Sequence, residues 1–597
     1  MSRPYSSRSI RPEMTVRQVA VDFPASREVF LHHGEPERHP GQFGHLEPLA
    51  HFARRMGLAL DELLLDLAAA TGAPIEAPSR PAETIHHGYI LSALAITLTL
   101  GAGWGGWLLW RIGITADFDA VQAADVIAHG EAQLWGFITL FIMGIALRTV
   151  LQAVARHRLG LRACRGLLLL ALFGIVGGFI WFLLPAASVL GLAAATSLVL
   201  MSAGFLAMQL VLLRRKWTAT WARAVMASGM WLVAWAIVTA VLRWSSGSVG
   251  AAIYSDSQRL LLIELAVFGF ALNSIYGFGQ MLLPGLLRIG STHSWAIETS
   301  HWVHNAGTFL LCLATVLGWS GIISATGCAL LTIGAVLFAV GIRGFIGRQR
   351  KSKRDEQGHA ALDLFPPMAF AWLIVSLVLM TCGFAYEQLA RVALPHAYMG
   401  AVRHALTVGF MTTLILGVGQ RLLPVLDRTV LAKPRLVVPI LVLIGVGNLL
   451  RVGTEFATIG TPTAYSVMPV SALFEWAALL LFAINAIATM LHTDALFSTG
   501  QATLRSSLAV LLGEYPEIED RLIATGSQYL ARTRSVPSEL TIGSFAESEG
   551  WEPLDLIEQI NGWLSGGIHD TAQSGLYSRT VGRHASPNIA TFRSVAD

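Results

Sequence analysis

Apolar residues run through the middle of this chain in long blocks, not in the short alternations of a soluble fold. Each block is close to the ~20 residues an α-helix needs to cross a bilayer core. Twelve such runs lie at 88–110, 126–153, 166–184, 188–213, 222–243, 259–287, 301–319, 323–346, 366–387, 400–425, 436–451 and 469–491. Within hydrocarbon a segment must satisfy its own backbone hydrogen bonds, so the runs predict spanning helices. The flanking stretches 13–75 and 500–566 are polar with single apolar stripes, as in small helical soluble units. The tails 1–12 and 567–597 read as disordered. The pattern therefore predicts an all-α polytopic membrane protein, with the membrane domain over 86–495 and a soluble module at each end.

Composition agrees with the pattern. Of 597 residues 54% are hydrophobic and 13% charged, where a soluble domain carries about a quarter charged. The net charge of +4 is modest, but its placement is informative. Basic residues gather in alternate loops: Arg156, Arg158, Arg162 and Arg165; then Arg214, Arg215 and Lys216; then 343–354; then Arg428, Lys433 and Arg435. The intervening loops are poor in Lys and Arg, as at Asp117, Asp119 and Asp125. By the positive-inside rule the basic loops face the cytoplasm, and an even number of spans puts both termini there too. Every basic cluster adjoins a span, which fits a lipid surface and speaks against nucleic acid. Met1–Pro12 is followed by no apolar stretch of the signal-peptide kind. The four cysteines show no CxxC or CxxCH spacing, which argues against zinc thiolate sites, iron–sulfur clusters and c-type haem.

The two end modules look like copies. Asp22-Phe23-Pro24 followed by Gly34 matches Glu514-Tyr515-Pro516 followed by Gly526, and Phe52-Ala53 with Gly57 matches Phe545-Ala546 with Gly550. The first copy resembles a small helical domain of unknown function found on redox and nitric-oxide-response proteins. Its His32, His33, His39, His45 and His51 allow a metal site. The second copy lacks those histidines, which favours a role common to both, docking of a cytoplasmic protein partner.

A second repetition lies inside the membrane domain. One run reads His129-Gly-Glu131 with Gly136-Phe137, Gly144 and Arg148. Another reads Glu264 with Gly269-Phe270, Gly277, Gln280 and Pro284. The third reads His404 with Gly409-Phe410, Gly417, Gln420, Arg421 and Pro424. The Gly-Phe pair and the next Gly are eight residues apart each time, and the anchors recur every four spans. Twelve spans thus divide into three pseudo-repeats of four, with the repeated helix second in each. The glycines suit close helix packing.

This plan resembles the main subunit of haem–copper oxidases and nitric oxide reductases. It is more closely similar to the NnrS family of nitric-oxide-response membrane proteins, whose late helix reads His-Ala-Leu-Thr-Val-Gly, as His404–Gly409 does here. In the early helix His129 is kept, but Glu131 stands where the family has a second histidine. The resemblance implies a b-type haem with His129 and His404 as axial ligands, copper as a possible second metal, and a role in nitric oxide response or denitrification. Independently, both histidines fall near one end of spans running in the same direction, so they share a depth. Imidazoles at one depth on two helices can ligate haem from both faces.

Other residues are weaker candidates. Arg403 and Arg451 could pair with haem propionates or simply reach toward the interface. Glu131 and Glu264 could be metal ligands in place of absent histidines, since Val402 stands at the family's high-spin haem position. His301 and His304, at i and i+3, could form a separate inner metal site about 25 Å from His129 in depth. His86 and His87 read as interfacial. Glu475 is a functional candidate as an acid within a span. Three functions stay open: a haem protein of the NnrS type, a divergent nitric oxide or oxygen reductase, and a transporter or scaffold without metal.

Overall fold

The computed structural model describes Ile10, 14–33, 49–73, 84–151, 158–247, 254–286, 292–342, 360–427, 431–491 and most of 502–565, apart from isolated positions. It is all-helical over the described residues. Four short helices come first: α1 (Val16–Asp22), α2 (Ser26–His33), α3 (Leu49–Met56) and α4 (Leu60–Thr71). Thr15 and Gln18 form a reciprocal cap that starts α1.

Twelve long helices follow: α5 (Ile85–Thr115), α6 (Ala123–Arg148), α7 (Arg158–Leu183), α8 (Ser188–Leu213), α9 (Thr220–Gly247), α10 (Asp256–Leu283), α11 (Ser294–Leu317), α12 (Gly321–Gly341), α13 (Phe365–Ala390), α14 (His396–Asp427), α15 (Val437–Ala457) and α16 (Ala464–Leu491). Eleven are long and apolar enough to cross a membrane. The exception is α11, which matches them in length but carries Glu298, His301, His304 and Asn305. It starts at Ser294, seven residues before the apolar run predicts, because the polar turn that leads into it is itself helical. The chain ends in α17 (Leu508–Glu514), α18 (Pro516–Ala524), α19 (Gln528–Arg532), α20 (Ile542–Glu549) and α21 (Pro553–Ser565).

The outward surface of the long helices is apolar. Ile114, Leu169, Val189, Val211, Leu449 and Leu473 are exposed, a surface that suits lipid and would aggregate in water. Exposed tryptophans sit near helix ends, Trp217 and Trp295 at one side and Trp110, Trp244 and Trp319 at the other, as in the aromatic belts of membrane proteins.

Burial separates three helices from the rest. The windows of α6, α10 and α14 are 78%, 78% and 72% buried, against 33–56% for the other eight spans. They touch one another: Arg148 of α6 donates to the Leu426 carbonyl of α14 at 2.8 Å, and α10 packs on both α6 and α14. Each carries a π-helical stretch at the same place, Ala132–Thr139, Glu264–Leu272 and Ala405–Thr412. A π turn shifts the backbone pairing from i−4 to i−5, and polar side chains follow the shift. Thr139 donates to the Leu134 carbonyl, and Thr412 and Thr413 donate to those of Thr407 and Val408.

The paired glycines of these helices let the preceding helix approach. A Cβ at Gly136 or Gly144 would meet Ile96 or Tyr89 of α5. At Gly269 or Gly277 it would meet Trp231 or Val225 of α9, and at Gly409 or Gly417, Trp372 or Phe365 of α13.

The end modules have separate cores, one around Phe30, Phe52 and Leu63, the other around Leu511, Phe545 and Ile560. Phe52-Ala53 and Phe545-Ala546 are buried alike. The same strut closes both: Leu49 N–H donates to the Met14 carbonyl, and Ile542 N–H to that of Ser506, each at 2.9 Å. Helix α17 packs on α3, so the two modules touch. Arg17 and Asp22 lie within electrostatic reach of Lys216, which puts the first module beside a basic loop. His33 Nε2 is 2.7 Å from Asp66 Oδ2. His39 and His45 lie outside the described residues, as does the His51 side chain.

Candidate cofactor site

His129 and His404 come from the two central helices α6 and α14, each just before the π stretch. His129 Nδ1 is 2.9 Å from the Gly101 carbonyl of α5. That carbonyl ends a fourth π segment, Thr97–Gly101. His404 Nδ1 is 2.9 Å from the Gly400 carbonyl, one turn earlier on its own helix, and 3.5 Å from Glu455 Oε2. A carbonyl only accepts, so each Nδ1 must carry the proton. In the neutral ring Nε2 then presents a lone pair, and neither Nε2 has a hydrogen-bond partner among the described residues. Ligating histidines commonly have this arrangement, one nitrogen tied to a carbonyl or carboxylate and the other free.

The two rings are close enough for His129 to feel the charge of His404 and of Arg451. His404 keeps 25% of its side-chain area open. His129 is half-buried. A separate apolar groove lies between α5 and α16, lined by Leu98, Gly103, Trp110, Pro469 and Trp476. It contains neither histidine.

Charged groups of α15 and α16 complete the surroundings. Arg451 is buried and its Nη1 lies 2.9 Å from Glu455 Oε2. Its expected place at the interface is corrected here: α15 continues to Ala457, so Arg451 falls inside the helix, where Glu455 balances its charge. Arg403 is half-buried and feels Glu455 and Arg451. Glu475 is enclosed near the same pair, with Oε1 unpartnered. Glu455 has no counterpart in the sequence reading. Its signal was the i, i+4 spacing from Arg451, hidden because the apolar run stops at 451.

The other carboxylate candidates point elsewhere. Glu131, two residues from His129, is on another helix face and forms an ion pair with Arg243 of α9. Arg243 is enclosed by Trp181 and Phe182, each ring 5.7 Å away. Glu264 is fully buried against α11, where Thr315 Oγ1 donates to its Oε1 at 2.9 Å. Neither carboxylate has a contact with His129 or His404.

His304 calls for a second correction. Its Nε2 is 2.8 Å from the Phe268 carbonyl, within the α10 π stretch. Phe268 is four residues past Glu264, about 6 Å along a helix. With Glu264 at the expected depth of the paired histidines, His304 lies roughly one helical turn from that depth, not 25 Å. The early start of α11 is the cause, because it carries His304 toward mid-helix. His301 lies one turn earlier, with Nδ1 3.4 Å from Asn305. Asn305 bonds Asn273 and Trp231, so this polar patch braces the α10 π turn. No contact joins the two histidines of α11 to His129 or His404.

Among the described residues one cluster has metal-ligand geometry: His86, His87 and Asp427. In comparisons with protein-family models and with curated proteins, the chain matched none.

Proposed function

We propose that this chain is a haem-binding integral membrane protein of the NnrS type, with His129 and His404 as axial ligands of a b-type haem. The observation that carries the reading is the common state of the two imidazoles. Both sit on central helices, tie Nδ1 to a backbone carbonyl, and leave Nε2 without a hydrogen-bond partner among the described residues. Arg451, whose charge reaches both histidines, and Arg403, next to His404 in the chain, would pair with the haem propionates. The shared π turns and glycine contacts of α6, α10 and α14 support three pseudo-repeats of four helices on the haem–copper oxidase plan. A haem held by two imidazoles supplies a one-electron couple with no vacant coordination position.

The role in nitric oxide response or denitrification rests on the resemblance of His404–Gly409 to that family. So does the bacterial cytoplasmic membrane as location, with both termini cytoplasmic on the side of the basic loops. Copper would need a second ligand set. Glu131 is engaged by Arg243 and Glu264 by Thr315, which favours a haem protein over a reductase with a binuclear centre.

The test is a dithionite-reduced-minus-oxidised visible spectrum of the purified protein, with wild type, His129→Ala and His404→Ala compared. A b-type signal lost in both variants is expected. A wild-type protein without haem, or a signal unchanged in either variant, would overturn the reading.

A further inference from the structure

At the opposite end of α14 from His404, 23 residues along the helix and so about 35 Å away, a second polar cluster has no part in the haem reading. Asp427, the last residue of α14, places Oδ1 2.9 Å from His87 Nε2 and 3.0 Å from His86 Nε2. The histidines are the second and third residues of α5, with ring centroids 4.5 Å apart.

Hydrogen bonding alone does not account for the cluster. Only His87 meets the directional requirement toward Asp427. His86 is fully buried; its Nε2 lies close to Asp427 Oδ1 without hydrogen-bond alignment, and its Nδ1 and Asp427 Oδ2 have no hydrogen-bond partner among the described residues. Unsatisfied buried polar atoms are costly, and two imidazole Nε2 atoms converge on one carboxylate oxygen here. The ligand atoms of the three residues lie within 4.8 Å of one another. On a tetrahedral ion with 2.0–2.1 Å bonds, neighbouring ligand atoms are about 3.3 Å apart. The observed 2.9 and 3.0 Å need only small shifts to reach that spacing.

We infer that His86, His87 and Asp427 form a binding site for a divalent transition-metal ion of the zinc or ferrous class, through two imidazoles and one carboxylate. That donor set suits these ions over magnesium or calcium, which prefer oxygen throughout. His87 is 21% exposed in its side chain, which leaves an entry path and a position for water. Arg148 lies within electrostatic reach of His86 and donates to the Leu426 carbonyl. Its positive charge opposes a cation, so the affinity is expected to fall below that of a structural zinc site.

The test uses the full chain in detergent, tag-free and stripped with a chelator, titrated with Co²⁺ and read by its visible d–d absorption. One equivalent is expected, displaced by Zn²⁺. His86→Asn, His87→Asn and Asp427→Asn should each weaken binding about 100-fold, while the chain stays monodisperse and the spectrum of the His129/His404 site is unchanged. A second measurement needs no variant: Zn²⁺ should protect the partly exposed His87 from diethylpyrocarbonate, read by mass spectrometry. Absence of Co²⁺ binding by wild type, unchanged binding in the variants, or failure of protection would overturn the inference. Haem content is read separately, so either site can fail alone.

Discussion

Replacing Glu131 with glutamine leaves the Arg243 guanidinium inside the bundle without a counter-charge, facing only an amide oxygen and Tyr254. The Arg243 side chain is 1% exposed and that of Glu131 14%, so water cannot take over the lost partner. A guanidinium cannot shed its proton, and breaking a buried pair from one side costs about 3–5 kcal/mol. The rings of Trp181 and Phe182 remain, and their attraction, about 0.5–2 kcal/mol, recovers only part of this. The opposite change, Arg243→Gln, is expected to be milder, about 1–3 kcal/mol, the range for an unsatisfied buried polar group. A lone carboxyl can take up a proton and become neutral. Replacing both residues with apolar ones, Glu131→Leu with Arg243→Met, should recover most of the loss, because no charge is then left in the interior. The assay is unfolding in detergent followed by tryptophan fluorescence, with the three variants compared with wild type in parallel. Wild-type stability for Glu131→Gln, or a double variant less stable than Glu131→Gln, would refute the argument.

Two further predictions concern packing and the π turns. Gly417→Ala puts a Cβ 2.2 Å from Phe365 Cβ and should cost about 1–3 kcal/mol by overpacking, whereas Gly453→Ala, with nothing within 4 Å, should be neutral or slightly stabilising; thermal unfolding in detergent separates them. Trp476→Phe removes the 3.0 Å hydrogen bond from Nε1 to the Leu98 carbonyl; amide exchange just after Leu98 should rise, and unchanged exchange would show that the bond does not brace that turn.

Hydrophobic run length settled the class of molecule and its main divisions. A helix that crosses hydrocarbon needs a certain number of apolar residues, and that number is local information. Boundaries were less legible wherever polar residues continue a helix. α11 opens with Ser294–Ser300 and α15 runs on through Glu455, and neither extension is apolar. The Gly-Phe and Gly spacing marked out α6, α10 and α14, and with them His129 and His404, because glycine at a helix contact is required by geometry and leaves a recurring trace.

The partnerships were not legible. That Glu131 meets Arg243, that Arg451 and His404 share Glu455, and that His304 reaches the Phe268 carbonyl all depend on which faces of different helices come together. Glu131 and His129 are two residues apart, about 200° around an ideal helix, so chain proximity suggested a common site where the fold separates them. His86 and His87 were two ordinary interfacial histidines until α5 and α14 were placed side by side, bringing Asp427 from 340 residues away. A sequence states which residues a bilayer admits; only the assembled helices decide which buried polar groups find each other, because pairing depends on distances between chains of contacts that no local pattern records.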